Sequence, residues 1–251
     1  MAAGSCGWCR IGPLAPLAAL RATLGAAPAQ GFADLFARAP LLLYRTAEPF
    51  EYPRSDWPAN VRAIGPGLRA PPGELPSWFA DLPRPRMLVT VSTELQEDGA
   101  IIEAALAALA DQPGSVVATT AALDPARFTA PNERVRITRF LPHAAVVPEV
   151  DLVVTHGGMG ITQRARAAGV PVCVVPRGRD QLESGRRVEV AGAGVLLPRG
   201  RLNAARLRAA AEKVLARRDG AARIAGAFAA AGCAARAVTL LEGLLRGEAA
   251  A

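Results

Sequence analysis

Only two histidines occur in the 251 residues, and one of them opens a glycine turn. The run His156-Gly157-Gly158-Met159-Gly160-Ile161-Thr162 follows the apolar stretch 152–154 and leads into a helix-compatible segment, after which a second apolar run occupies 170–175. Strand, small-residue turn, helix and strand in that order describe one βαβ unit. Glycines at such a turn let an anion approach the backbone, and the unpaired N–H groups of a helix start carry partial positive charge toward it. Gly157, Gly158 and Gly160 do not fit G-x-G-x-x-G, and no Lys follows as a P-loop requires, so neither of those phosphate-binding motifs is present. A tight connection without a ligand is the competing account.

What raises the functional reading is convergence. If strands alternate with helices, then Ser92-Thr93, Thr119-Thr120, the turn from Phe140 through Leu141 to His143, the glycine turn and Asp180-Gln181 all fall at strand ends on one rim. An aromatic for a base, a glycine cradle for phosphates and Asp-Gln for sugar hydroxyls make a coherent nucleotide-sugar site. Each residue has a plainer alternative. Phe140 reads equally as a core aromatic beside Pro142, His143 as a surface histidine, and Asp180-Gln181 as the cap of the next helix.

The elements that must hold these residues follow from periodicity. Residues 14–24 read as a short amphipathic helix ended by Gly25, 32–36 as one helical turn, and 41–44 as a short strand. Prolines recur from 48 to 85, which reads as loop and linker pinned to a surface by Trp57, Trp78 and Phe79. From Arg86 on, strands are predicted at 87–91, 116–118, 135–137, 151–155, 171–175 and 195–197, with helices at 99–110, 162–168 and 181–191. Asn203 is placed to cap a helix carrying Leu207, Ala211, Val214 and Leu215, and two alanine-rich helices follow. The pattern predicts an α/β fold, a doubly wound parallel sheet with an N-terminal irregular or helical extension. The expected division is a partly disordered or helical remnant over 1–40, a proline-rich linker segment over 41–85 and a binding domain over 86–251.

Composition narrows the partners. The net charge of +7 invites nucleic acid, but Lys213 is the only lysine among 29 basic residues, and the arginines are scattered with no aromatic interleaving. No nucleic-acid partner is expected. The hydrophobic fraction of 51% is inflated by alanine, and no uninterrupted apolar run approaches the ~18 residues of a spanning helix. Residues 1–20 make a poor signal peptide, so the expectation is a cytoplasmic chain with no membrane span. Cys6-Gly-Trp-Cys9 has the spacing of a redox or zinc pair. The first needs a strand before it and the second about four ligands, so accidental spacing in a leader is favoured. Cys173, inside an apolar strand, reads as a buried small hydrophobe.

These motifs together resemble the C-terminal, donor-binding domain of GT-B glycosyltransferases of the macrolide and flavonoid type, relatives of the plant UDP-glycosyltransferases. The resemblance takes in Ser92-Thr93, Phe140-Leu-Pro142-His143, Asp151 through His156-Gly-Gly-x-Gly160, Gly169-Val-Pro171, Gly178-Arg-Asp180-Gln181, Arg187-Val188 and Gly192-Ala-Gly194. Glu48 to Pro53 and Asn60 to Pro66 are similar to the segment that leads into that domain, so the likeness covers about 41–245. It implies a Rossmann-like sheet, a UDP- or dTDP-linked sugar as donor substrate, a small-molecule acceptor, and no metal or other cofactor. It also implies roles: Phe140 and Leu141 with His143 near the base, His156 with Gly157, Gly158, Met159, Gly160 and Thr162 at the diphosphate, Asp180 and Gln181 at sugar hydroxyls, and Ser92 and Thr93 lining the cleft. Ile161 departs from the usual Ser or Thr, and Arg164 stands where plant relatives have a ribose-binding Glu. The family's general base belongs to an acceptor-binding domain, for which 1–40 is too short. No catalytic residue is assigned, and the expectation is a donor half that is inactive alone, or one chain of a two-chain enzyme whose acceptor domain is a separate polypeptide.

Overall fold

The computed structural model describes residues 15–27, 31–69, 73–94 and 98–247. The Cys6/Cys9 pair lies outside them. Two compact units are distinguished. The smaller takes in Met1–Tyr44, Arg54–Ile64 and Ala234–Ala251. It contains α1 (Ala15–Thr23), α2 (Phe32–Ala37), β1 (Leu42–Tyr44) and β2 (Val61–Ala63), and β1 pairs in parallel with β2, Leu42 facing Val61. Asn60 donates to the carbonyls of Phe36 and Ala39 at 3.0 and 2.8 Å. Trp57 packs on Tyr44 with ring centroids 5.4 Å apart. Sequence periodicity does not predict β2.

The larger unit, Arg45–Pro53 with Gly65–Cys233, carries the sheet. Its strands are β3 (Arg86–Thr90), β4 (Ser115–Thr119), β5 (Val135–Thr138), β6 (Leu152–Thr155), β7 (Val172–Val174) and β8 (Gly194–Leu196). Among the described residues they form one wholly parallel sheet in the order β5-β4-β3-β6-β7-β8. The α/β doubly wound expectation holds. Alternate side chains serve two cores. Val89, Val116, Val154 and Cys173 face one, while Leu88, Val117, Val153, Val172 and Val174 face the other. Burial on both faces explains why these strands read as unbroken apolar runs rather than alternating ones.

The helices that cover the sheet are α3 (Gly99–Leu109), α4 (His143–Val146), α5 (Met159–Ala167), α6 (Gln181–Val190), α7 (Ala204–Leu215) and α8 (Arg218–Ala230), followed by α9 (Cys233–Leu245). Leu207 and Val214 of α7 join Ile101 and Ile102 of α3 in the first core; Ala165, Val188, Ile224 and Phe228 of α5, α6 and α8 join the second. Asn203 caps α7 as expected, its side chain accepting from the Arg206 N–H at 2.9 Å.

Two expectations are corrected. The stretch 41–85 is not simply a linker. Phe50, Phe79 and Leu82 lie in the second core, and Phe50 meets Phe228 edge-on at 5.9 Å. Burying an aromatic of this size is worth about 2–3 kcal/mol, enough to draw a proline-rich segment onto the sheet. Secondly, α5 begins at Met159 rather than Thr162, with Gly158 in the N-cap position. Packing of Ile161 and Ala165 in the second core outweighs the poor helix propensity of Gly160.

The stretch Arg218–Leu245 is long and apolar enough, by length and composition, to cross a membrane. It is broken at Gly232 and Cys233, whose φ angles are +80° and +46°. The two helices it contains are 13 residues each, ~20 Å apiece against a ~30 Å hydrocarbon core.

Candidate functional site

The strand order fixes where a ligand can bind. From β3 the chain runs through α3 to β4 and β5, then returns to the other side of β3 to build β6, β7 and β8. Directions reverse between β3 and β6, and a crevice opens at the carboxyl ends of neighbouring strands where that happens. The residues there are Thr90 to Thr93 after β3 and His156 to Gly160 after β6.

His156 is 8% exposed. Its Nδ1 lies 3.3 Å from the Thr155 hydroxyl, and the ring hydrogen-bonds with the Thr90 backbone. Burial lowers its pKa below the usual 6.5, and the charges of Asp98 and Asp180 with the Thr90 bond offset only part of that. The imidazole is therefore neutral near pH 7. Gly158 has no side chain because this ring takes the space: a Cβ there would sit 2.6 Å from His156 Nε2. Gly157 is required by the backbone itself, with φ +95° and its Cβ position 2.5 Å from Val174 Cγ1. Gly160, in the first turn of α5, faces open space. The first N–H groups of α5 have no side-chain cap, which leaves a helix N-terminus available to an anion.

The other predicted residues are placed as follows. Ser92 is buried; its N–H donates to Asp98 Oδ2 at 2.5 Å and its Oγ accepts from the Glu94 N–H at 3.1 Å. Thr93 is exposed. Phe140 is 65% exposed and so is no core aromatic, whereas Leu141 packs into the second core and can offer a ligand only its backbone. His143 is no surface histidine. It is half-buried at the start of α4, with Nε2 3.4 Å from the Thr90 hydroxyl, and burial followed by the charge of Arg164 pushes its pKa down to about 4. Both imidazoles thus meet Thr90, from its hydroxyl and from its backbone. Met159 is partly buried against the second core. Thr162 is fully buried, its hydroxyl without a hydrogen-bond partner. Of the pair Thr119-Thr120, both are buried; Thr120 donates to Leu123 O at 2.8 Å, and the Thr119 hydroxyl has no hydrogen-bond partner.

Asp180 and Gln181 divide their roles. Asp180 occupies the N-cap position of α6 with no side-chain cap bond, and it is exposed at the rim. The capping alternative therefore fails for it. Gln181 is buried, and its Oε1 accepts from the N–H groups of Arg177 and Gly178 at 2.8 and 3.2 Å, which folds the loop that presents Asp180.

Sequence reasoning missed three participants. Thr90 joins the two imidazoles. Asp98, 1% exposed, holds Ser92 and bears on His156. Arg179 pairs with Glu94 at 2.6 Å, linking the loops after β7 and β3. A cavity of about 200 Å³ lined by Asp98, Ile101, Val175, Arg177, Arg199 and Leu202 opens beside α3 on the same rim.

A profile of the family described as erythromycin biosynthesis protein CIII-like, C-terminal domain, matches residues 103–244, more than half of the chain. The chain belongs to this family. The 4'-demethylrebeccamycin synthase of Lentzea aerocolonigenes is 37% identical over 221 residues, which covers 85% of this chain and 52% of that protein. Among solved structures, the glycotransferase of kitacinnamycin matches with a TM-score of 0.77 at 25% identity, over 91% of this chain and 60% of its own. The glycosyltransferase VinC, solved in complex with dTDP, matches with a TM-score of 0.68 at 26% identity, over 89% of this chain and 57% of its own. The chain spans about half the length of the curated relatives it matches. The GT-B resemblance read from the motifs holds, and within this family the parallel sheet described here corresponds to the C-terminal half.

Proposed function

We propose that this chain supplies the donor-binding half of a glycosyltransferase that moves a sugar from a nucleoside diphosphate, UDP or dTDP, to a hydroxyl of a small natural product. One observation carries the reading: an imidazole and an uncapped helix N-terminus meet at the point where the sheet reverses direction, with a glycine that the imidazole itself requires. The family match and the dTDP complex of a related fold support it. Phe140, exposed at the same rim, offers a face on which a base stacks. Asp180, exposed and uncommitted to the helix cap, accepts from sugar hydroxyls.

In the reaction, the acceptor oxygen forms a bond to the anomeric carbon as the bond from that carbon to the distal phosphate oxygen breaks. The electron pair stays on the phosphate, where His156 and the α5 amides stabilise the growing charge. The acceptor proton leaves to a base outside the residues assigned here. Acceptor recognition belongs to the other half of the enzyme, whether in the same polypeptide or in a partner chain.

Calorimetric titration of the chain with UDP and dTDP tests the donor site. The expected result is saturable binding of at least one of them, and a weakening of roughly 10- to 100-fold in His156→Ala, the size of one charge-assisted hydrogen bond. A folded chain that binds neither nucleotide, or whose affinity is unchanged in His156→Ala, refutes it.

A further inference from the structure

One ion pair crosses the end of the sheet at the proposed donor site. Arg179 Nη2 lies 2.6 Å from Glu94 Oε2, which ties the loop after β7 to the loop after β3. In the sheet β6 lies between those two strands: Thr90 faces Thr155, and Thr155 faces Val174. Two strand spacings make about 10 Å, so the pair bridges the strand whose end carries His156 and the glycine turn. Both partners are anchored beside that turn. The Glu94 N–H donates to Ser92 Oγ, just beyond Thr90, whose backbone hydrogen-bonds with the His156 ring. On the other side Gln181 fixes the loop by accepting from the Arg177 and Gly178 N–H groups, and its carbonyl oxygen lies 3.2 Å from the Cβ position of Gly157. Arg179 is held there with φ +55°, a left-handed backbone that is unfavourable for a residue with a Cβ and persists only where its surroundings impose it.

Taking the rim as a donor diphosphate site, we propose that Arg179 is a further diphosphate-binding residue. In the empty site Glu94 holds it across the crevice, and the entering diphosphate displaces the carboxylate and takes the guanidinium for itself. The two side chains are 64% and 61% exposed, so their attraction is weak and opens readily. A diphosphate repels Glu94 and attracts Arg179, whose planar fork matches two phosphate oxygens at once. No covalent bond changes; one ion pair is exchanged for another. In the reaction the charge left on the distal phosphate is then met by His156, the α5 amides and Arg179 together. Glu94 stands in for the ligand until the donor arrives, and its displacement subtracts the strength of the exposed pair from the donor affinity.

The test is a double-mutant cycle read by calorimetry of UDP and dTDP against the wild-type chain, Arg179→Gln, Glu94→Gln and the double variant. All four should melt alike, because both side chains are exposed. Arg179→Gln should bind about tenfold more weakly or worse, the loss of one charge-assisted hydrogen bond. Glu94→Gln should bind about two- to fivefold more tightly, the strength of an exposed ion pair. That gain should vanish in the double variant, which should bind as Arg179→Gln does, since no guanidinium remains to be released. A gain from Glu94→Gln that persists without Arg179 reports only a carboxylate repelling the ligand, and overturns the exchange. Saturable binding that Arg179→Gln leaves unchanged, or that Glu94→Gln leaves unchanged or weakens, also overturns it while the donor site stands. Failure of both nucleotides to bind the wild-type chain overturns the donor site and the inference with it.

Discussion

Three glycines of the turn after β6 should respond to alanine in three different ways. Gly157 has φ +95°, and its Cβ would lie 2.5 Å from Val174 Cγ1 and 3.2 Å from the Gln181 carbonyl oxygen. The left-handed conformation costs an L-residue about 1–2 kcal/mol, and forcing a methyl into a packed interior adds about 1–3. Val174 is fully buried in a central strand and Gln181 O belongs to the first turn of α6, so neither yields easily. Gly157→Ala should therefore lose about 2–5 kcal/mol, which lowers the melting temperature by roughly 5–20 °C for a chain of this size. At Gly160 a Cβ meets nothing within 4 Å, and replacing glycine in a helix gains about 0.5–1 kcal/mol.

Gly158→Ala separates fold from function. Its Cβ would overlap His156 Nε2 at 2.6 Å, which is a side-chain clash that the ring relieves by swinging away. Stability should fall by less than in Gly157→Ala, while affinity for UDP or dTDP falls as far as in His156→Ala, because both changes remove the same imidazole from the same place. Thermal unfolding by circular dichroism, paired with nucleotide titration of each variant, measures both axes. If Gly157→Ala melts within about 2 °C of the parent, the turn geometry argued here is wrong. If Gly158→Ala binds nucleotide like the parent, the imidazole is not the phosphate donor.

Three further outcomes follow from other parts of the larger unit. Phe140→Ala should leave the melting temperature nearly unchanged, because the ring is 65% exposed, yet weaken nucleotide binding by roughly 5- to 100-fold, as expected for loss of a stacking worth ~1–3 kcal/mol; unchanged affinity would remove Phe140 from the site. Asp151 accepts from the Arg86 N–H at 2.7 Å, from Arg84 at 3.1 Å and from Arg218 at 2.7 Å. Burial raises its pKa, but the Arg86 amide and the Arg218 and Arg84 guanidiniums outweigh that and hold it below 3.8. Its contribution is complete above the unfolded value of about 4 and is lost as pH falls through the lower folded one, so urea unfolding against pH should show Asp151→Asn losing stability at neutral pH and flattening the acid limb. Cys173, whose thiol burial pushes up to about 12, should resist iodoacetamide in the native protein while the half-buried Cys233 is alkylated; peptide mass spectrometry that finds native Cys173 modified would contradict the packing of β7.

How much of this was legible in the sequence depends on the range over which each feature is decided. The four inner strands of the large sheet could be read because apolar residues fill both faces of each: Leu88 serves one core and Val89 the other, so no polar residue interrupts the apolar run; the edge strand β5 was legible from Val135 and Ile137 on either side of Arg136. β2 could not, because Val61–Ala63 is three residues long with a central arginine and exists only through its register with β1. The rim of strand ends was legible too, since topology alone assembles it. Its internal division was not. Asp180 and Gln181 look like one sugar-binding pair in sequence, yet the start of α6 turns the first outward as an exposed N-cap and the second inward to bond the amides of Arg177 and Gly178. Asp98 shows the same limit more sharply. An aspartate ahead of a helical run reads as a cap, but α3 starts without one, and the carboxylate goes instead to Ser92 and to the neighbourhood of an imidazole 58 positions along the chain. Local chemistry predicts which residue types a phosphate site needs. Only the reversal of winding between β3 and β6 sets the end of one strand, with Thr90, beside the end of the other, with His156, and no local pattern records that neighbourhood.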